Sequence, residues 1–386
     1  MSTVVVDDAR LPAADAPVEG PRPESGTHDA ADAPDRRPRL VALLPAHNEE
    51  VGLPAALESL WGQTTPPDQV IVVADNCTDD TEQVARRHGA EVFVTVDNPH
   101  KKAGALNQVL GAVLPTLQPD DLVLVMDADS LLHSTFLQTA RDHLGSGSDL
   151  GGVGGTFQGG PGGGLLGTFQ RNEYARYARD VRRLKGKALV LTGTASVFPV
   201  RVLQHVQQAR RDGLLPDRSA ALQIYDVHVL TEDNELSLGL MHLGYRILAP
   251  KGCTLETEVM TTWGDLARQR LRWKRGAIEN ICDYGLTRVT APYWGRQVMG
   301  ALGVLATVLY VGSLLFGLIV GITLQPFWLA ASLVFIAERV VTVHTRGWKQ
   351  MLLAAPLVIE MAYDVFLQFV QAWAFLQAAL RSERRW

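Results

Sequence analysis

Four short runs of apolar, mostly β-branched residues are spaced along the first third of the chain. They are Leu40–Leu44, Val70–Ala74, Val92–Val96 and Leu122–Met126. Continuous apolar runs of this length are typical of strands that are covered on both faces. Since segments of helical length separate them, the alternation predicts βαβ units and a mostly parallel sheet flanked by helices.

Helical patterns occupy the gaps between these runs. Leu53, Leu57 and Leu60 repeat at helical spacing behind Asn48, which we expect to cap that helix. Another helix is expected from about Lys102 to Leu114. In parallel sheets, ligands bind outside the carboxyl ends of the strands. The loops that follow the strands are therefore the first places to look for functional groups.

These loops are acidic or polar. His47, Asn48, Glu49 and Glu50 follow the first run, Asp75, Asn76, Thr78 and Asp79 follow the second, and Asp127 and Asp129 follow the fourth. Asp127 and Asp129 are two residues apart and project to one side if the strand geometry persists. Two adjacent carboxylates repel each other unless a cation neutralises them, and oxygen ligands suit Mg²⁺ or Mn²⁺. The pattern predicts a divalent-metal site, although a solvated loop can carry the same residues.

Composition divides the chain into three parts. Residues 1–38 are rich in Ala, Asp and Pro, with few large apolar side chains, so we expect a disordered tail. Residues 39–285 contain the strand–helix alternation and form the expected catalytic domain. Residues 286–386 are expected to be a membrane region. The net charge of -5 and the lack of a recognisable binding motif exclude nucleic acid as an expected partner.

The membrane region contains one long stretch without charged residues, Val298–Leu324. It exceeds the roughly 20 residues that a helix needs to cross a bilayer. Two further apolar segments, Pro326–Val343 and Met351–Leu380, contain charged residues and are expected to span, tilt or lie in the interface. Basic residues in His344–Lys349 and Arg381–Arg385 favour the cytoplasmic side for both. Three full spans would instead place the C-terminus outside the cell. The number of membrane helices, two or three, therefore stays open.

Seven motifs occur in a defined order between Arg39 and Gly285. They are Pro45-Ala46-His47-Asn48-Glu49, Asp75–Asp79, Lys102-Ala103-Gly104-Ala105-Leu106-Asn107, Asp127-Ala128-Asp129, Gly193-Thr194, Thr231-Glu232-Asp233 and Gln269-Arg270-Leu271-Arg272-Trp273. In this order they resemble the family 2 glycosyltransferases, in particular the processive branch of cellulose, chitin, hyaluronan and poly-N-acetylglucosamine synthases. The resemblance implies a GT-A-type, Rossmann-like sheet and inverting, Mg²⁺- or Mn²⁺-dependent transfer from a nucleotide sugar.

The resemblance also implies roles for the donor site. Asp75 resembles the residue that binds the uracil ring, and Lys102 the basic residue near the phosphates. Asp127 resembles the carboxylate near the ribose and the metal, and Asp129 the direct metal ligand. Without the resemblance, Lys102 would be interpreted as an ordinary surface lysine. The implied donor-binding residues are Pro45, His47, Asn48, Glu49, Asp75, Asp79, Lys102, Asp127 and Arg272.

For the acceptor side, Asp233 and its neighbour Glu232 resemble the catalytic acids, with Asp233 as the general base. An isolated Asp there would more often cap a helix. In the motif Gln269–Trp273, an Arg can neutralise a departing diphosphate, and the Trp ring offers an apolar platform for a sugar face. The alternative interpretation of this motif is an amphipathic helix with a buried Trp. The implied acceptor-binding residues are Gly193, Thr194, Gln269 and Trp273.

We therefore expect a multi-pass protein of the cell membrane with a cytoplasmic catalytic domain. It is expected to extend a polysaccharide from a UDP-sugar, with UDP-N-acetylglucosamine or UDP-glucose favoured. The processive synthases usually carry membrane helices before the catalytic domain, and this chain shows none. Non-processive transfer to a lipid-linked acceptor therefore stays open, as does a homo-oligomer or export partner that completes a pore. An inert nucleotide-sugar sensor is disfavoured because it would not need the base.

The glycine-rich stretch Gly151–Gly164 lacks the Gly-Lys-Ser/Thr sequence of a phosphate loop. The first turn after a strand, Pro45–Asn48, also lacks the glycine pattern of a dinucleotide-binding loop. We therefore expect the glycine-rich stretch to be a flexible rim of the active site.

Overall fold

The computed structural model describes residues 36–145, 148–216, 223–321 and 357–380, with a few isolated positions between 333 and 348. Most of the expected tail over residues 1–38 therefore lies outside the described residues. The same holds for most of Pro326–Val343, most of His344–Lys349, the start of Met351–Leu380 and the basic segment Arg381–Arg385.

In the part of the chain that the structure describes, ten strands form two sheets. They are β1 (Leu40–Ala46), β2 (Gln69–Ala74), β3 (Glu91–Val94), β4 (Leu122–Met126), β5 (Leu131–Leu132), β6 (Leu150–Gly154), β7 (Thr156–Gly159), β8 (Ala195–Pro199), β9 (Arg246–Leu248) and β10 (Thr254–Thr257). The central sheet has the order β3-β2-β1-β4-β8-β6-β9, and the small sheet has the order β5-β10-β7. The first four strands of the central sheet are parallel, whereas β8 is antiparallel to both β4 and β6. The sheet is therefore mixed.

Ten α-helices accompany the sheets in the described residues. They are α1 (Leu53–Trp61), α2 (Thr81–Arg87), α3 (Lys101–Val113), α4 (Phe136–His143), α5 (Gly164–Arg183), α6 (Val200–Arg211), α7 (Glu232–His242), α8 (Trp263–Tyr284), α9 (Ala291–Val320) and α10 (Leu357–Ala379). Side chains from α3, α6 and α7 cover one face of the central sheet, and side chains from α1, α2 and α4 cover the other.

Strand β1 shows that both faces of the central sheet are buried. Val41 and Leu43 point into one hydrophobic cluster, whereas Leu40, Ala42 and Leu44 point into the other. All five side chains are fully buried. Full burial of a Val or Leu contributes roughly 1.5–3 kcal/mol. The strands are continuous apolar runs because both faces of the sheet are buried, as the sequence pattern predicted.

Two local expectations were wrong. Asn48 does not cap α1, which begins at Leu53 after Gly52 and has no side-chain cap bond. The stretch Gly151–Gly164 is not a flexible rim along its whole length, because β6 and β7 occupy its first part. The glycines there permit close packing: a Cβ on Gly152 would lie 2.7 Å from a methyl carbon of Leu191.

The C-terminal part contains two long helices in the described residues. Of these, α9 is long and apolar enough, over Ala291–Gly317, to cross a membrane, and its apolar side chains are largely exposed. No other helix in the described part of the chain meets that description. Helix α10 instead packs along α8. A membrane region of two or three helices over residues 286–386 stays a prediction.

Candidate functional site

The carboxyl ends of β1, β2 and β4 meet at one edge of the central sheet. Strand β1 pairs in parallel with both β2 and β4, so the residues that follow the three strands emerge side by side. Pro45 lies at the end of β1 and His47–Glu50 forms the turn after it. Asp75 directly follows β2, and Asp127 directly follows β4. The three loops are therefore neighbours in the structure.

Asp75 is buried, and hydrogen bonds fix its carboxylate. Oδ1 accepts bonds from Thr95 Oγ1 at 2.8 Å, Asn98 Nδ2 at 2.8 Å and Asn76 Nδ2 at 3.1 Å. The Nδ1 atom of His47 lies 2.7 Å from the backbone oxygen of Asp75. Among the described residues Oδ2 accepts no hydrogen bond, so it is the oxygen that can receive an N–H from a ligand.

Hydrogen bonds between the loops after β1 and β2 hold the two together. Asn48 adopts a left-handed φ of 58°, and its Oδ1 accepts the N–H of Thr78 at 2.7 Å. The N–H of Glu50 donates to Oδ2 of Asp79 at 3.1 Å, and the N–H of Asp80 donates to Oε2 of Glu50 at 3.0 Å. Asn48 and Asp79, both expected to bind the donor, therefore also shape these loops.

Lys102, the second residue of α3, lies among carboxylates. Its Nζ donates to Oδ1 of Asp127 and, at 3.2 Å, to the backbone oxygen of Gly193, and it lies 3.8 Å from Oε1 of Glu232. Burial lowers the pKa of Lys102, but the charges of Asp127, Glu232 and Asp233 raise it more, so the pKa lies above its ordinary value. Lys102 is a fixed cation in this cleft and not a solvated surface lysine.

Strand β8 returns the chain to the same edge because it runs antiparallel to β4. The N–H of Asp127 donates to the backbone oxygen of Thr194 at 3.2 Å. A Cβ on Gly193 would lie 2.6 Å from Nζ of Lys102, so glycine leaves the room that the ammonium needs. The N–H of Gly193 donates to Oδ2 of Asp233 at 2.9 Å. We refer to Lys102, Asp127, Gly193 and Asp233 as the lysine group.

The start of α7 supplies Asp233 of this group and, beside it, Glu232. Oδ1 of Asp233 accepts the N–H of Asn234 at 2.7 Å, so each carboxylate oxygen receives one backbone N–H. Burial raises the pKa of Glu232, and the positive charges of Lys102 and Arg272 oppose that rise. Arg272, an exposed residue of α8, is therefore close enough to act on the acids electrostatically.

A second set of acids lies beside the lysine group. Burial, followed by the charges of Asp129 and Glu258, raises the pKa of Glu49 to about 7. Burial and the charges of Asp127 and Glu258 raise the pKa of Asp129 to about 6. We refer to Glu49, Asp129 and Glu258 as the acid group. Sequence reasoning missed Glu258, since the short strand β10 that precedes it gives no clear periodic signal.

The chemistry of these donors fits a small, hard divalent cation. Burial and, after it, mutual repulsion raise the proton affinity of Glu49 and Asp129, and a cation would relieve the repulsion. Mg²⁺ is commonly held by one or two carboxylates and completed by substrate phosphates and water. Among the described residues, no cluster of three or more metal-ligating side chains is preformed. Asp127 and Asp129 are therefore the candidate protein ligands, with the remaining positions left for a diphosphate and water.

Helix α8 carries the Gln269–Trp273 motif. The guanidinium of Arg270, which is buried, donates to Oε1 of Gln269 at 2.7 Å and lies 4.4 Å from the centre of the Trp273 ring. Among the described residues, neither Gln269 nor Trp273 hydrogen-bonds to the lysine group. The structure thus places Arg272 close enough for its charge to act on Glu232, and it holds Gln269 and Trp273 against Arg270.

Helices α7 and α8 are bonded directly to each other. Asn280 Nδ2 donates to the backbone oxygen of Thr231 at 3.1 Å and to Oδ1 of Asn234 at 3.0 Å. A Cβ on Gly276 would lie 2.4 Å from Oγ1 of Thr231, which shows how closely the helices approach. Asn280 and Gly276 were not selected from the sequence, because nothing in a helical pattern indicates which distant segment a side chain contacts.

Comparison with known proteins agrees with this architecture. The protein family described as "Glycosyltransferase like family 2" matches residues 38–276, more than half of the chain. A poly-beta-1,6-N-acetyl-D-glucosamine synthase of Staphylococcus aureus is 24% identical over 287 residues, 71% of this chain and 64% of the relative. A probable glycosyltransferase of Bacillus subtilis, YdaM, is 26% identical over 249 residues, 62% of this chain and 55% of the relative. The match thus spans 64% of the first relative and 55% of the second, less than two thirds of either.

A solved structure shares the fold over nearly the whole chain. It is the mannosyltransferase PcManGT from Pyrobaculum calidifontis in complex with GDP-Man and Mn²⁺, with a TM-score of 0.53 and 17% identity. The match covers 92% of this chain and 91% of that one. The expected GT-A-like sheet flanked by helices is confirmed, as is the resemblance at the level of the family. The chain belongs to the family 2 glycosyltransferases.

Proposed function

We propose that the protein transfers a sugar from a nucleotide-sugar donor to a growing polysaccharide, with inversion at the anomeric carbon. The observation that carries the proposal is the lysine group, in which Asp127 and Asp233 come from separate elements to one cleft beside Asp129. The cleft therefore combines carboxylates for a leaving diphosphate with a second carboxylate for the acceptor. The likeness to poly-beta-1,6-N-acetyl-D-glucosamine synthases supports a glycan as product.

Asp75 is proposed to bind the base of the nucleotide. Its free Oδ2 suits the ring N–H of uracil, and the turn with His47, Asn48 and Glu49 would lie beside the nucleoside. A UDP-sugar, UDP-N-acetylglucosamine or UDP-glucose, is therefore the favoured donor. A Mg²⁺ or Mn²⁺ ion bound by Asp127 and Asp129 would neutralise the diphosphate as it leaves.

Asp233 is proposed as the general base. The two backbone N–H groups orient its carboxylate, and each oxygen keeps a lone pair for the acceptor hydroxyl. The acceptor oxygen forms a bond to the anomeric carbon, the bond from that carbon to the diphosphate oxygen breaks, and the hydroxyl proton passes to Asp233. Attack opposite the leaving group inverts the configuration.

The remaining residues are proposed to align the substrates. Arg272 adds positive charge on the diphosphate side, where its field already reaches Glu232. Trp273 and Gln269 would contact the acceptor, with the indole ring against a sugar face. Gly193 and Thr194 shape the same side of the cleft through their backbone bonds.

A Trp273→Ala variant is expected to make shorter products. An unchanged product ladder would contradict the role of Trp273 in binding the acceptor.

The membrane assignment is part of the proposal. Helix α9 supports at least one span, and we propose a cell-membrane protein with its catalytic domain in the cytoplasm. The alternative is a single transfer to a polyprenyl or other lipid-linked acceptor. It is favoured by the finding of one span-length apolar helix in the described residues, since an export route needs several helices or a partner. A homo-oligomer or export partner would supply them.

The decisive experiment is a donor screen on membranes that contain the full chain. Labelled nucleotide sugars are supplied one at a time, with Mn²⁺ or with a chelator, and the products are separated by size. Metal-dependent labelling of a long polymer from a UDP-sugar supports the proposal. Label in one short lipid-extractable product supports the alternative. No labelled product from any donor, with folded protein present, refutes both.

A further inference from the structure

The C-terminal helix α10 carries a buried carboxylate that is bonded to the glycosyltransferase domain. Glu360 is 1% exposed. Its Oε1 accepts Nδ2 of Asn172 at 2.9 Å, and its Oε2 accepts Nη1 of Arg176 at 3.2 Å, both from α5. A carboxylate that is removed from water persists only where it is paired and hydrogen-bonded. This face of α10 is therefore complementary to α5.

A second buried contact lies almost one helical turn further along the same face. Tyr363, also 1% exposed, donates its hydroxyl to Oε2 of Glu173 at 2.6 Å. The same oxygen accepts Nη2 of Arg270 at 3.0 Å. The Tyr363 ring packs against the ring of Phe169, with centroids 5.1 Å apart. Helix α10 thus contacts α8 through one shared carboxylate oxygen.

Arg270 connects this contact to the proposed acceptor side of the site. One end of its guanidinium is held by Glu173, and the same group bonds Gln269 and covers the Trp273 ring. Arg270 is 2% exposed, so its charge depends on its protein partners. A shift of Glu173 would therefore move Arg270, and with it the two side chains proposed to contact the acceptor.

We propose that Tyr363 is a positioning residue for the acceptor site, acting through Glu173 and Arg270, and that Glu360 holds α10 in place for it. The inference rests on the proposed function. Further along the helix, Gln371 accepts Nζ of Lys274 at 2.8 Å, so the contact between α10 and α8 continues beside Trp273. A helix from the C-terminal region thereby becomes part of the acceptor site without touching substrate.

The test is Tyr363→Phe, which removes the hydroxyl and keeps the ring. We expect kcat/KM for the acceptor to fall about tenfold while the KM of the donor changes less than about twofold, as for loss of a buried hydrogen bond to a charged group. The matched control is Tyr245→Phe, which removes a phenol bond to His205 Nδ1 at 2.9 Å, remote from the motif. The control is expected to keep wild-type kinetics. Unchanged acceptor kinetics in Tyr363→Phe would overturn the proposal.

A double-mutant cycle separates positioning from general stabilisation. Because Tyr363 is proposed to act through Arg270 on both Trp273 and Gln269, Tyr363→Phe should cause a clearly smaller loss in a Trp273→Ala background than in the wild type. A full additive loss, or a lower melting temperature with normal acceptor kinetics, would overturn the proposal. If Tyr363→Phe does not fold, Glu360→Gln is measured with the same outcomes. Wild-type protein that transfers no sugar would refute the proposed function instead, so the two failures are distinguishable.

Discussion

The two halves of the candidate site solve the problem of clustered acids in different ways. In the lysine group, an ammonium lies between the carboxylates, and backbone N–H groups bond to Asp233. In the acid group, Glu49, Asp129 and Glu258 form no salt bridge among the described residues. The charge of Lys102 only partly offsets burial and repulsion at Asp129, and the pKa values of Glu49 and Asp129 rise. One half is balanced by the protein itself, whereas the other is proposed to be balanced by a metal ion.

The difference assigns a separate task to each half. A general base must be ionised and well oriented before the acceptor arrives, which favours a permanently charged partner such as Lys102. A site that binds a metal and a diphosphate must instead be able to exchange both after each reaction. Asp129 of the acid group, together with Asp127, suits that task, because a bound cation would relieve the repulsion among the neighbouring carboxylates. Substitutions in each half should therefore have distinct consequences.

The largest effect is expected from Asp233→Asn in the lysine group. Loss of the base should lower the rate of transfer by roughly 10²–10⁴-fold, while donor binding, measured by calorimetry, stays nearly unchanged. Asp149→Asn is a suitable control, because Asp149 is exposed and pairs with Arg246 at the surface. Turnover close to that of the wild type in Asp233→Asn would remove Asp233 from the proposed role and break the comparison.

In the acid group, Asp129→Ala should change the metal requirement. We expect the Mn²⁺ concentration for half-maximal donor binding to rise by about 10–100-fold, since a direct ligand is lost. A manganese titration followed by donor binding measures this. Asp120→Ala, a surface acid paired with Arg201, is the control. If the two titrations coincide, Asp129 does not bind the metal and the halves do not differ as described.

The strands and the edge at which they end could be predicted from the sequence, but the pairing within the site could not. The runs around Leu43 and Leu124 read as buried strands because both faces are covered. That Lys102 lies among acids depends on β8 running antiparallel to β4, which brings Gly193 back to the edge. The direction of a strand depends on the path of the whole chain, so a local sequence pattern does not predict it.

The contribution of α10 was missed for a similar reason. Its residues fall in the segment Met351–Leu380, which was expected to span, tilt or lie in the interface despite its charged residues, because hydropathy reports composition and not the partner of a side chain. Asn172 and Arg176, the partners of Glu360, stand far away in the sequence. The motif at Gln269–Trp273 could be recognised, whereas the support for Arg270 from Glu173 required the tertiary structure.

A smaller effect is expected from Lys102→Met, which removes the cation of the lysine group. Without the ammonium, less positive charge would oppose the effect of burial on Glu232, so the pKa of Glu232 should rise further. The acid limb of the pH–rate profile should move to higher pH, and turnover at neutral pH should fall about tenfold. Lys251→Met, at an exposed position, provides the control profile. An unshifted acid limb would show that Lys102 does not influence the ionisation that limits the rate.

The smallest effect, on stability, tests the acid group alone. The folded protein raises the pKa of Glu49 from 4.5 to about 7, so between these values it binds more protons than the unfolded chain, and stability falls as the pH rises. In metal-free buffer the melting temperature should decline from about pH 5 to pH 8. Glu49→Gln should decline less, whereas the exposed Glu58→Gln should follow the wild type. Mn²⁺ should stabilise the wild type more at the higher pH, where the acids are ionised. Parallel melting curves for Glu49→Gln and the wild type would mean that the folded protein does not raise the pKa of Glu49, and the contrast between the two halves would then be lost.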